Sequence, residues 1–124
     1  MPDEPILDAI ATAALRKVDV RIIVPKKGDS RLVTFAGRSY YPELLTAGAR
    51  IFEYEGRFIH AKTMVIDGDL SIVGTANMDN RSFRLNFEVI AAVYGAELAS
   101  KLAAAFEDDL THTREVRPLS LIHI

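Results

Sequence analysis

The chain has 124 residues, of which 49% are hydrophobic, and a formal net charge of −2 at pH 7. This length allows one modest domain with a core of its own. The weak negative charge argues against a dedicated nucleic-acid binder, which is usually basic. The chain contains no cysteine, which excludes disulfides and thiolate metal sites. No apolar run reaches the roughly 18 residues of a membrane span, and no signal peptide is visible.

The first half of the chain alternates helical and extended patterns. An apolar stripe predicts a helix over residues 1–17, and β-branched residues predict a strand over Val18–Val24. A second helix is predicted over Tyr41–Ala47, with a proline in its first turn and a glycine at its C-terminal cap. A strand is predicted to follow over Arg50–Tyr54.

The second half begins with a hairpin signal. Two β-prone runs, Thr63–Ile66 and Leu70–Val73, flank three turn-forming residues. The apolar run Phe87–Tyr94 is typical of a strand buried on both faces. Ala96–Leu110 has the pattern of an amphipathic helix, and Thr111–Ile124 shows no clear period. The order of helices and strands predicts a layered α/β domain.

The hairpin predicts a cluster of polar side chains on one face. In a strand, successive side chains alternate between faces. If residues 68–69 form a two-residue turn, Lys62 lies opposite Thr75. By the same count, His60 lies opposite Asn77. A three-residue turn would shift the second strand and separate these side chains, so this prediction depends on the turn.

The four side chains would form a compact site for an anion such as a phosphodiester. Cleavage without a metal needs a nucleophile, a proton donor and positive charge around the phosphate oxygens. His60 can serve as nucleophile or acid. Lys62 and Asn77 can hold the anionic oxygens, with Thr75 assisting. No cluster of carboxylates and histidines has metal-ligand spacing, so neither a metal nor another cofactor is expected.

The same residues resemble a known motif. The pattern reads His60-x-Lys62-x4-Asp67-x6-Gly74-Thr75-x-Asn77, which resembles the HKD motif of the phospholipase D superfamily. Two flanking segments resemble the C-terminal half of bacterial cardiolipin synthases, namely Ser39-Tyr40-Tyr41-Pro42-Glu43-Leu44-Leu45 and Arg81-Ser82-Phe83-Arg84-Leu85-Asn86-Phe87-Glu88. The resemblance runs from about Asp3 to about Arg114.

The resemblance implies a fold and a domain division. The expected fold is α/β, a phospholipase D-like α-β-α layered sandwich with a mixed sheet. The chain is expected to form one HKD half, truncated at its start. Residues 1–114 would be the catalytic domain, and residues 115–124 an irregular tail. The end of that tail, Leu119–Ile124, departs from the family pattern and resembles foreign sequence.

The resemblance also implies an activity and partners. The expected enzyme is a phosphatidyltransferase of the bacterial cell membrane, attached through parts absent from this chain. It would move a phosphatidyl group between two phosphatidylglycerol molecules through a phosphohistidine, releasing glycerol. The family uses two HKD motifs, so a homodimer or a missing N-terminal domain would supply the second one. The expected partners are phospholipid and a membrane surface, not nucleic acid. The alternatives are a homodimeric phospholipase D or nuclease, and an inactive fragment.

Three further residues have two interpretations each. Glu88 lies in an apolar run, where it can accept a hydrogen bond from His60, a role that the family supports. Its alternative is a salt bridge to Arg81 or Arg84. Asp67 belongs to the family's active-site set, although strand alternation turns it away from His60 and favours a role in the turn. Arg81 follows the hairpin and can contact phosphate or serve as surface charge.

Overall fold

The protein was analysed as a computed structural model that describes residues 4–25, 40–55, 61–75 and 87–117. These ranges contain three helices and six strands. In chain order they are α1 (Glu4–Leu15), β1 (Arg21–Pro25), α2 (Tyr41–Ala47), β2 (Arg50–Tyr54), β3 (Thr63–Ile66), β4 (Leu70–Gly74), β5 (Ile90–Tyr94), α3 (Ala96–Leu110) and β6 (Thr113–Glu115). The predicted helices, β2 and the two hairpin strands are confirmed, whereas β1 begins three residues later than predicted.

The helix α2 shows how local sequence sets an element's limits. Pro42 lies in its first turn, where the missing N–H costs no helical hydrogen bond. The helix ends at Gly48, whose φ of 110° is left-handed and therefore favours glycine. The Gly48 N–H donates to the carbonyl of Leu44 at 3.2 Å and that of Leu45 at 3.1 Å. The chain then turns directly into β2.

The first sheet is mixed and has the strand order β1-β2-β6. The strand β1 is parallel to β2, and β6 is antiparallel to it. On one face α1 and α2 build the core, whose buried members are Leu7, Ala14, Tyr41, Leu44, Ala49, Ile51 and Val116. Phe52 is buried but lies outside that cluster, and α3 contacts β2 and β6. Helices therefore cover both faces, which confirms the α-β-α layering.

The strand β6 was not predicted. Its three residues are polar and show no apolar period, but they pair with β2, with Phe52 opposite Glu115. Next in the chain, the Val116 N–H donates to the carbonyl of Ile51 at 2.8 Å, and the Val116 side chain joins the core. The described structure therefore includes residues 115–117, and the domain limit at residue 114 stays a prediction. Residues 118–124 of the predicted tail lie outside the described residues.

The second sheet is antiparallel, with the order β3-β4-β5. The helix α3 packs against β3 and β4. We expected β5 to be buried on both faces, and this is wrong, because all five of its residues are exposed. The reason is its position. Within the described part of the chain, β5 is an edge strand, and an apolar run does not reveal whether its strand is central or at an edge.

Candidate active site

The hairpin turn differs from the predicted one. The strands pair with Ile66 opposite Leu70, so three residues connect them. Asp67 has a φ of 55° and Gly68 a φ of 71°, and the Asp69 N–H donates to the carbonyl of Ile66 at 3.2 Å. Asp67 and Gly68 are thus the central residues of a turn that runs from Ile66 to Asp69. Positive φ at both of them is the geometry of a primed hairpin turn, which favours Asp-Gly in that order. The two-residue turn predicted at residues 68–69 is therefore wrong.

This turn changes which residues face each other at the open end of the hairpin. The Gly74 N–H donates to the carbonyl of Lys62 at 3.3 Å, so Lys62 lies opposite Gly74 and not opposite Thr75. By strand alternation, Lys62 and Thr75 then belong to opposite faces. The predicted single-face arrangement is wrong for this pair. His60 and Asn77 lie outside the described residues, so their positions stay predictions.

Gly74 allows β4 and β5 to approach each other closely. A Cβ atom built on Gly74 would lie 2.3 Å from the carbonyl oxygen of Val89 and 2.7 Å from the Cα of Ile90. The close approach at this glycine is therefore made by backbone. It brings the residue after β4 against the two residues before β5.

Those residues form a hydrogen-bonded cluster of Thr75, Glu88 and Val89. The Thr75 N–H donates to the carbonyl of Val89 at 2.9 Å. In return, the Val89 N–H donates to the Thr75 hydroxyl oxygen at 3.0 Å. The Thr75 hydroxyl donates to Oε2 of Glu88. The half-buried carboxylate of Glu88 is thus held by a residue from the neighbouring strand.

The predicted site residues divide into three groups. Thr75 and Glu88 are brought together, and half-buried Lys62 lies at the same end of the hairpin, across from Gly74. Asp67 lies at the opposite end, in the turn. It lies five positions along the chain from Lys62, or about 16 Å of strand, which agrees with its structural interpretation. The remaining candidates, His60, Asn77 and Arg81, lie outside the described residues.

One hydrogen-bond donor of this cluster was not predicted from the sequence. The backbone N–H of Val89 fixes the Thr75 hydroxyl oxygen, and no side-chain motif indicates a backbone donor. The pairing of β4 with β5, with Gly74 opposite Ile90, is the signal that locates it. Extending that register by one residue places Val89 beside Thr75.

None of the helices in the described ranges has the length and apolar character that a membrane-crossing segment needs.

Comparison with known proteins gives one family. The family described as "Cardiolipin synthase, PLD-like domain" matches residues 1–110. "Cardiolipin synthase 2" of Bacillus anthracis is 51% identical over 116 residues, which is 94% of this chain and 23% of the relative. "Cardiolipin synthase" of Geobacillus kaustophilus is 52% identical over 112 residues, which is 90% of this chain and 22% of the relative. The chain thus spans about a quarter of the length of the curated relatives it matches.

Two solved structures have the same fold. One is described as a phospholipase D family member, Nuc from Salmonella typhimurium. It aligns with a TM-score of 0.79 and 21% identity over 94% of this chain and 76% of that one. NucT from Helicobacter pylori aligns with a TM-score of 0.70 and 18% identity over 91% of this chain and 75% of that one. The expected phospholipase D-like fold is thereby confirmed.

Proposed function

The chain belongs to the cardiolipin synthase, PLD-like domain family, and we propose that it forms one half of the catalytic site of a phosphatidyltransferase. The reaction transfers a phosphatidyl group from one phosphatidylglycerol to another, releasing glycerol. The observation that carries this proposal is the family match over residues 1–110, which takes in every residue of the HKD motif and Glu88.

The proposed chemistry has two steps. A histidine nitrogen attacks the phosphorus of the first phosphatidylglycerol, forming a phosphorus–nitrogen bond as the bond to the glycerol oxygen breaks. A second histidine gives its proton to that oxygen, and glycerol leaves. The second histidine then takes a proton from the hydroxyl of another phosphatidylglycerol, whose oxygen displaces the histidine from phosphorus. His60 supplies one of the two imidazoles.

The other motif residues stabilise charge around the phosphate. Lys62, Asn77 and Arg81 are proposed to hold the anionic oxygens, because cationic and amide donors stabilise the charge that develops there. Glu88 is proposed to orient His60 by accepting a hydrogen bond from the ring nitrogen that does not react. The half-buried position of Glu88 at the open end of the hairpin supports that role.

A second HKD half must complete this site, because one imidazole cannot attack phosphorus and protonate the leaving group together. The edge strand β5 supports the existence of a partner. It begins two residues after Glu88, and its Ile90 and Tyr94 are 57% and 81% exposed. Contiguous exposed apolar residues mark surfaces that another protein covers. The partner is either a second copy of this chain or another part of a longer protein.

The lipid substrate places the reaction at a membrane surface. We propose that the intact enzyme acts at the bacterial cell membrane, where both phosphatidylglycerol molecules reside. Transfer and hydrolysis share the first step and differ in whether an alcohol or water displaces the histidine. A phospholipase D activity is therefore the second candidate, and the fold shared with Nuc supports it.

Product analysis tests this proposal. The chain is incubated with phosphatidylglycerol labelled in its headgroup, in mixed micelles, alone and with a chain extended at its N-terminal side. We expect cardiolipin and free glycerol in equal amounts, and their loss in His60→Ala. His112→Ala is the matched control, because this exposed histidine lies outside the motif and should leave turnover unchanged.

The other products identify the rival functions. Phosphatidic acid without cardiolipin would refute transfer and support a phospholipase D. Cleavage of DNA with no action on lipid would support a nuclease. Product from the extended chain and none from this chain alone would support the inactive fragment, which lacks its partner half.

A further inference from the structure

We infer that Thr75 is a positioning residue for Glu88 and does not bind the phosphate of the substrate. This inference rests on the proposed function, in which Glu88 acts on a catalytic histidine. It replaces the expectation that the Thr75 hydroxyl assists in holding the phosphate oxygens.

The Thr75 hydroxyl can make only a few hydrogen bonds. A threonine hydroxyl has one proton to donate and two lone pairs that accept. One lone pair is occupied, because the Val89 N–H donates to it at 3.0 Å. An ionised carboxylate only accepts, so the contact with Oε2 of Glu88 takes the hydroxyl proton. The other acceptor within reach is the carbonyl of Val89, at 3.3 Å.

The phosphate would have to compete for that proton. The free oxygens of an ionised phosphodiester are acceptors, so Thr75 can donate to them only by releasing Glu88. Both acceptors are anionic, so charge strengthens either hydrogen bond to a similar degree. Glu88, however, directly precedes Val89, whose carbonyl accepts from the Thr75 N–H, so its carboxylate is held beside the hydroxyl before any substrate binds. The arrangement therefore favours the contact with Glu88.

The backbone makes this contact rigid. The Thr75 N–H and the Val89 carbonyl are 2.9 Å apart, so Thr75 is tied to β5 from both its amide and its hydroxyl. The absence of a side chain at Gly74 permits this approach. Because Glu88 directly precedes Val89, the position of its carboxylate is set by the pairing of β4 with β5.

A double-mutant cycle tests the functional part of the inference. Thr75→Val removes the hydroxyl at nearly constant volume, and Glu88→Ala removes its acceptor. We expect Thr75→Val to lower kcat about 10-fold, as loss of a residue that orients a catalytic group does, with KM within about twofold. Thr75→Ser should restore turnover. In the Glu88→Ala background, Thr75→Val should have no further effect.

The opposite results would overturn the inference. A higher KM with unchanged kcat in Thr75→Val would indicate a direct phosphate contact, and so would effects that add in the double variant. Turnover is measured on phosphatidylglycerol and on bis(p-nitrophenyl) phosphate, a soluble diester, so that the cycle does not depend on lipid specificity.

A spectroscopic measurement separates failure of this inference from failure of the proposed function. The carbon-13 signal of the Glu88 side-chain carboxyl should move in Thr75→Val and return in Thr75→Ser, whether or not the chain makes cardiolipin. Loss of cardiolipin formation alone would refute the proposed function. An identical carboxyl signal in all three proteins would refute the inference.

Discussion

Replacing Gly74 with alanine should destabilise the β4–β5 pair. The backbone of Gly74 does not need glycine for its φ, since the positive-φ glycines in the described residues are Gly48, Gly68 and Gly95. Glycine is needed at this position because there is no room for a Cβ atom. The added Cβ would lie 2.3 Å from the carbonyl oxygen of Val89, and contacts below 3.0 Å with backbone require a movement of the chain.

The clash can be relieved in two ways, and each has a cost in free energy. If β5 stays in place, the overpacking costs about 1–3 kcal/mol. If β5 moves away, the two hydrogen bonds that the amides of Thr75 and Val89 donate to each other's residue are lost, at about 0.5–1.5 kcal/mol each. The structure adopts the less costly route, so we expect the free energy of unfolding to fall by about 1–3 kcal/mol.

Denaturant unfolding measures the loss, and hydrogen exchange locates it. The Val89 amide should lose protection in Gly74→Ala. Gly68→Ala is the matched control, because nothing lies within 4 Å of its added Cβ and its cost comes from a φ of +71°. That variant should leave the Val89 amide protected. Full stability of Gly74→Ala with unchanged protection at Val89 would refute the reasoning.

Three further perturbations follow from the described contacts. Ser71→Ala should leave the free energy of unfolding unchanged or raise it by up to about 1 kcal/mol, because the buried Ser71 hydroxyl lacks a hydrogen-bond partner in the described structure. Denaturant unfolding measures this change, and a loss above about 1 kcal/mol would contradict the prediction. Arg50 donates to Glu115 at 2.6 Å and holds the pKa of that carboxyl below 4.5. The stabilisation is therefore present above pH 4.5 and lost as the pH falls. The melting-temperature difference between the protein and Glu115→Gln should shrink as the pH is lowered below 4.5, whereas a constant difference would contradict the linkage. Asp67→Val should cost about 1–2 kcal/mol because a β-branched residue resists positive φ, and Asp67→Asn should be tolerated; equal unfolding midpoints for the two variants would refute the structural role of Asp67.

The sequence was sufficient to predict those helices and strands whose formation depends on a local pattern of residues. The helix Ala96–Leu110 follows from its apolar period, and α2 from its proline and its glycine cap. The hairpin strands follow from two β-prone runs around a turn. In each case the signal and the residues that respond to it lie within one element.

Long-range contacts explain what could not be predicted. Asp67-Gly68-Asp69 is compatible with turns of two and three residues, and the carbonyl of Asp69 accepts a hydrogen bond from the distant Gly95 N–H at 2.6 Å. The short strand β6 depends on pairing with β2 and on the ion pair between Arg50 and Glu115. Neither interaction leaves a local pattern.

The candidate site was likewise predicted only in part. A carboxylate inside an apolar run identified Glu88 as a residue that needs a partner. The partner found in the described structure is Thr75, which was expected to face phosphate. That pairing depends on the close contact of β4 and β5 at Gly74, and the hairpin register alone does not reveal it.

We propose above all that His60 belongs to a site that carries the phosphatidyl group on a histidine. The most direct test of this proposal is to mix the assembled enzyme with phosphatidylglycerol, quench with alkali, and search for a phosphatidyl–histidine adduct by mass spectrometry. With phosphatidylglycerol labelled in its acyl chains, we predict a labelled adduct that loses its label when an excess of unlabelled phosphatidylglycerol is added. It should be absent in His60→Ala, because both attack on phosphorus and protonation of glycerol are needed to form it. Turnover that proceeds without an adduct, or with inversion of configuration at phosphorus, would contradict the account.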